Sequence, residues 1–125
     1  MNKSKKNKIS IVIPAWNEYS NLIEIRPRIE KVVSLLVERY EFEFIVIDNN
    51  STDNTHSLMS SYCADNPQWK YIRFSRNFGL EASLSQGVDI VDSDALIFLF
   101  SDMQDPPELI VDLINKWEDG FDIVY

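Results

Sequence analysis

The chain has 125 residues, 45% hydrophobic and 26% charged, the balance of one globular domain with a single core. Twelve basic against twenty acidic residues leave a net charge of -8, which repels phosphate backbones and argues against nucleic-acid partners. The single cysteine, Cys63, excludes an internal disulfide and cannot alone form a thiolate metal site, and no run approaches the roughly 20 apolar residues of a membrane span.

The basic start "MNKSKKNK" reads as a solvated, flexible tail over residues 1–8, followed by one domain over 9–125. The run "KISIVIP" (Lys8 to Pro14) is β-branched and too short for a signal-peptide core, so it is the first predicted strand and the chain is expected to be cytoplasmic. Ile29, Val32, Val33 and Leu36 recur at helical spacing, which predicts an amphipathic helix up to Tyr40 with Pro27 near its start or at a kink. "FEFIVID" (Phe42 to Asp48) is the second strand, and a helix capped by Ser51 or Asp53 follows, with Leu58, Met59, Tyr62 and Cys63 on its apolar face. "WKYIRFS" (Trp69 to Ser75) is the third strand, succeeded by a helix whose apolar face is Leu80, Leu84, Val88 and Val91. "ALIFLF" (Ala95 to Phe100) is the fourth strand, and Leu109, Ile110, Leu113, Ile114 and Trp117 mark the last helix, with Asp105 as its cap and Pro106 at its first position. "FDIVY" (Phe121 to Tyr125) is a fifth strand.

Strands alternating with helices predict an α/β fold, a mostly parallel sheet with helices on both faces. Ligands of such folds bind beyond the carboxyl ends of the strands. With strand order 3-2-1-4 and a further strand at the C-terminus, the segments "AWNE" (Ala15 to Glu18), "DNNSTD" (Asp48 to Asp53), Arg76 with Asn77, and "SDMQD" (Ser101 to Asp105) form one rim.

The chain has neither G-x-G-x-x-G nor a P-loop, which disfavours dinucleotide dehydrogenases and P-loop ATPases. The rim offers carboxylates instead, hard oxygen ligands suited to Mg2+ or Mn2+, through which a diphosphate can bind an acidic protein. Asp53 and Asp105 can equally be helix caps and Asp48 a turn residue. Asp102 has no evident capping role and lies just past a strand. Trp16 can stack on a base or close the edge of the core, and Arg76 suits a phosphate or a structural carboxylate.

The stretches "SIVIPAWNEYSNL", "FIVIDNNSTDNT", "RFSRNFGLEASLSQGV" and "SDMQDPPELI", in that order, resemble the family 2 inverting glycosyltransferases of GT-A fold, in the branch of dolichol-phosphate mannose synthase and bacterial polyprenyl-phosphate sugar transferases. The resemblance implies sugar transfer from a UDP- or GDP-sugar to a polyprenyl phosphate or a cell-envelope glycan. Pro14, Ala15, Trp16 and Glu18 would flank the nucleoside, Asp48 would contact base or ribose, and Asn49, Arg76 and Ser101 would line the nucleotide site. Asp102 would bind the divalent metal beside Gln104, and Asp105 matches the "QDPPE" signature. The family's "DDGS" is "DNNS" here, with Asn50 able to take positive φ, and Phe100 replaces the first aspartate of the D-x-D pattern.

The catalytic base is expected beyond Tyr125, the acceptor half outside this chain, and membrane association only through such a further region, at the inner face of the membrane. A homo-oligomer fits an apolar face left for docking. Two other readings are a nucleotide-binding fragment without catalysis, and a receiver-like signalling domain, against which the absence of an acidic pair after the first strand argues.

Overall fold

The computed structural model describes residues 6–102 and 106–120. Strands β1 (Asn7–Ala15), β2 (Tyr40–Asp48), β3 (Trp69–Arg73) and β4 (Ala95–Phe98) alternate with helices α1 (Tyr19–Ser34), α2 (Thr55–Asp65), α3 (Leu80–Ile90) and α4 (Leu109–Glu118). All neighbouring strands are parallel, in the order β3-β2-β1-β4 expected from the sequence. The predicted fifth strand lies outside the described residues, and α4 starts later than expected, at Leu109 with Glu108 at its N-cap position, so Pro106 is not its first residue.

Alternation along the strands divides the core. Ile9, Ile11 and Ile13 of β1 and Phe42, Phe44 and Val46 of β2 pack with Leu22, Ile25 and Ile29 of α1, Met59 and Tyr62 of α2, and Ile110 and Ile114 of α4. Trp69 anchors this side, stacked on Phe44 at 4.7 Å and edge-on to Tyr62 at 5.5 Å. Its indole N–H donates to Glu30 Oε2 at 3.2 Å. The opposite side holds a smaller cluster, Val12, Ile45 and Ile47, with Ile72, Phe74, Ile90, Val91, Leu96 and Phe98 only partly buried against it. Among the described residues, α3 is the helix that covers it.

Two further expectations about the helices are corrected. Helix α1 begins at Tyr19, ends at Ser34 before a turn, and carries Pro27 inside it. Proline there forfeits one backbone hydrogen bond and costs about 3 kcal/mol in a helix interior. Burial of Leu22, Ile25, Ile29, Val32 and Val33 along one stripe outweighs that loss.

Helix α3 has the expected period but presents a different face. Ser83 and Gly87 are the buried positions, whereas Leu80 and Val88 are 52% and 59% exposed. Close approach to the sheet is the reason. A Cβ built on Gly87 would stand 2.9 Å from Val12 Cγ1 and 3.1 Å from Phe98 Cε1. Val12 is β-branched and fixed in a strand, so it cannot swing away. Gly87→Ala is therefore expected to destabilise the fold by about 1–2 kcal/mol, despite alanine's helix propensity, which a urea midpoint would register. A stabilised variant would contradict this packing.

On the α3 side of the sheet a charge lies buried. Glu43, 5% exposed, accepts from the Ser10 hydroxyl at 2.5 Å and from Lys70 Nζ at 2.6 Å, with Lys8 Nζ at 3.5 Å. Burial alone would raise this carboxyl's pKa, but the hydrogen bonds from Lys70 and Ser10 and the two lysine charges together hold it below its ordinary value of 4.5. A depressed carboxylate stabilises the fold above its unfolded pKa and loses that contribution as pH falls through the folded one. Because Lys70 is half-exposed, Glu43→Gln is expected to cost about 1–2 kcal/mol at pH 7. The deficit against the unsubstituted chain should shrink in unfolding titrations below about pH 4.5. A deficit independent of pH would rule out the ionic origin.

Candidate nucleotide-sugar site

The parallel register aligns the carboxyl ends of the strands. Ala15 of β1 stands beside Asp48 of β2, and Asp48 beside Arg73 of β3. On the other flank, the β1–β4 pairing ends at Val12 and Phe98, and the Leu99 N–H donates to the Val12 carbonyl at 2.9 Å. The strand ends thus bring Arg73, Asp48 and Ala15 side by side, while Ser101 and Asp102 lie in the turn after β4.

The turns after β1 and β2 are stitched together by Asn17, which sequence reasoning missed. Its backbone has φ 53° and its N–H donates to Ser51 Oγ at 2.8 Å. Its side-chain oxygen accepts from the Thr52 N–H at 2.8 Å and the Asp53 N–H at 3.3 Å. An asparagine just after a strand is a recognisable signal for such a left-handed turn. Asn50, at φ 66°, adopts the expected positive φ.

Asp48 is wholly buried. Its Oδ1 accepts from the Ser51 N–H at 2.8 Å and the Ser51 hydroxyl at 2.6 Å, while the Tyr71 hydroxyl donates to Oδ2. Burial, then the hydrogen bond to Asp48, drives the Tyr71 hydroxyl far above its ordinary pKa, so it stays a proton donor to the carboxylate. Asp48 thereby holds the turn that carries Ser51, Asn50 and Asn49. Ser51 does not cap α2. Asn54 holds the N-cap position without a side-chain bond, and Asp53, one residue earlier, accepts at Oδ1 from the Thr55 N–H at 3.0 Å and the Thr55 hydroxyl at 2.5 Å.

Asn49 is also buried and bridges to the start of α3. Its Oδ1 accepts from the Phe78 N–H at 3.0 Å, and its Nδ2 donates to the Gly79 carbonyl at 2.9 Å and to Ser83 Oγ at 3.0 Å. A carboxylate could not make the bond to that carbonyl, which accounts for an amide in place of the aspartate of "DDGS". Gly79, at φ 91°, turns the chain there.

The remaining expected residues are more open. Trp16 is 50% exposed at the end of β1, after the buried Pro14 and Ala15. The Glu18 carboxylate accepts from Asn21 Nδ2 at 2.6 Å, at the edge of an open cleft of about 290 Å³ between the start of α1 and the turn at Asp53 and Asn54. Arg76 is exposed, its guanidinium 4.5 Å from the centre of the Phe78 ring. Arg73, which the sequence reading passed over, donates to the Ser51 carbonyl at 3.2 Å. Ser101 is buried and Asp102 exposed in the turn after β4, whereas Gln104 and Asp105 lie outside the described residues. Among the described residues no three His, Cys, Asp or Glu side chains converge as a metal cage.

A parallel sheet in the order β3-β2-β1-β4, flanked by helices, is the Rossmann-like arrangement of a GT-A fold. Residues 10–125 match glycosyl transferase family 2, and the chain belongs to that family. It is 41% identical over 117 residues to an uncharacterized glycosyltransferase of Synechocystis sp., covering 94% of this chain and 36% of that protein. It is 39% identical over 119 residues to a prophage bactoprenol glucosyl transferase homolog of Escherichia coli, covering 94% and 38%. The chain thus spans little more than a third of these relatives. Among solved structures, residues 1–349 of S. aureus TarS superpose with a TM-score of 0.70 at 20% identity, covering 90% of this chain and 32% of that one. The Pyrobaculum calidifontis mannosyltransferase PcManGT, in complex with GDP-Man and Mn2+, does so with 0.66 at 17% identity, covering 79% and 28%.

Proposed function

We propose that this chain carries the donor site of a glycosyltransferase that moves a sugar from a UDP- or GDP-sugar, with inversion, to a polyprenyl phosphate or a cell-envelope glycan. The observation that carries the reading is the alignment of Ala15, Asp48 and Arg73 across the strand ends, with the exposed Asp102 in the turn after β4. The similarity to the bactoprenol glucosyl transferase homolog supports a lipid-phosphate acceptor.

In this reading Trp16 offers its exposed face to the base, and Glu18 and Ala15 border the nucleoside. Arg76 meets the diphosphate, while Asp48 and Asn49 hold the walls in place. The donor set suits a hard cation bound mainly through ligand and water: one exposed carboxylate, Asp102, with Gln104 beside it in sequence. When bound, Mg2+ or Mn2+ offsets the charge that builds on the leaving diphosphate. Asp102, in the turn after β4, would hold that ion. A polyprenyl phosphate is anionic at neutral pH, so attack by its oxygen needs no strong general base. A glycan hydroxyl would need one, and it is assigned to no residue of this chain.

Thermal-shift titration with UDP, GDP and their sugars, with and without Mn2+, tests the site. A nucleotide at a hundredfold excess over its Kd should add about 2.7 kcal/mol of stability, and one base should be preferred. No stabilisation by any nucleotide would sink the donor-site reading.

A further inference from the structure

The buried hydroxyls of the chain are almost all engaged. Ser10 donates to Glu43, Ser51 to Asp48 and Thr55 to Asp53, and Ser83 receives the Asn49 amide. Ser101 differs. It is 2% exposed, and among the described residues its Oγ is the buried side-chain oxygen or nitrogen without a hydrogen-bond partner. A buried donor left unpaired costs folding free energy that an alanine there would not.

Its place in the fold suggests where a partner comes from. Val12 pairs with Phe98 and the Leu99 N–H donates to the Val12 carbonyl, which holds the end of β4 beside β1, and Ser101 lies in the turn two residues further on. Ser101 thus lies past the carboxyl end of β4, one residue before Asp102.

We propose that the Ser101 hydroxyl is a ligand-dependent hydrogen-bond donor, unpaired in the empty chain and paired with an oxygen of the nucleoside diphosphate when the donor binds. The proposal rests on the rim being a nucleotide-sugar site. Because Oγ is occluded, pairing requires a rotation about χ1 or a shift of the turn at Ser101 and Asp102. Donor binding therefore recruits a group that weakens the empty fold, and part of the affinity for nucleotide is stored as that weakness.

Ser101→Ala separates this role from a structural one, since it should move stability and affinity in opposite senses. Without nucleotide the variant is expected to melt about 3 °C or more above the unsubstituted chain. Its affinity for UDP or GDP with Mn2+, measured calorimetrically, should fall about tenfold. Ser10→Ala, which deletes a partnered buried hydroxyl, should lower the melting temperature and calibrates the comparison. A lowered melting temperature for Ser101→Ala would show that the hydroxyl already has a partner and overturn the proposal. So would a raised melting temperature with unchanged affinity. If the unsubstituted chain binds no nucleotide, the donor-site reading fails and this proposal with it, a result distinct from either of those.

Discussion

Replacing Asp102 by asparagine is expected to abolish Mn2+-dependent nucleotide binding while leaving the melting temperature of the empty chain within about 1 °C of its starting value. Exposure predicts the second half: a near-isosteric change at an exposed side chain alters stability by about 0.5 kcal/mol or less. The first half follows from charge. An amide keeps the size and one acceptor oxygen of the carboxylate but not its negative charge, and hard divalent ions bind chiefly through charged oxygen. With Phe100 at the place of the other aspartate and no cage of three acidic or imidazole ligands among the described residues, little remains to compensate. The loss in affinity should be about 100-fold or more, close to 2.7 kcal/mol, and the variant should be indifferent to added EDTA. Calorimetric titrations of both proteins with and without Mn2+ measure it. Equal affinities in the presence of Mn2+ would remove Asp102 from the metal site.

Asn49→Ala should have the largest effect on folding, a loss of about 2–4 kcal/mol. The substitution deletes three hydrogen bonds at once and leaves the Phe78 N–H, the Gly79 carbonyl and the Ser83 hydroxyl to find other partners. It also opens a small cavity at a residue only 6% exposed. Because these bonds tie the turn after β2 to the start of α3, the damage should spread to the Arg76–Phe78 segment and weaken nucleotide binding as well. Equilibrium urea unfolding gives the stability term. A variant as stable as its parent would mean that the bridge contributes little to the fold.

How much of this was legible in the sequence depends on the range of the interaction. Strands β1 and β2 are long β-branched and aromatic runs whose buried faces set their own limits, and the sequence placed their ends within a residue or two. The rim followed from topology, because parallel strands bring their carboxyl ends together whatever the loops contain. Helix α3 showed its period but not its orientation: Leu80, Leu84 and Val88 form as good a stripe as any core helix, and only the 2.9 Å approach at Gly87 reveals that the small residues face inward. Asn17 was missed, and Asn49 was expected at the nucleotide site rather than as a brace, since the partners of both lie some 30 positions away. Ser101 was expected to line the nucleotide site only through the family resemblance. Its lack of a partner is a property of the packed fold alone.

The unequal cover of the two sheet faces has a consequence for how the molecule opens. Among the described residues three helices clamp one face and α3 alone lies on the other, with Leu80 and Val88 exposed. Its amides should exchange with deuterium through a partial opening that leaves β1, β2 and α1 intact, so α3 forms a separate and weaker cooperative unit. Since Asn49 joins that unit to the rim, occupation of the rim should slow exchange in α3 more than in α1. The least protected helix would then report on the occupied site.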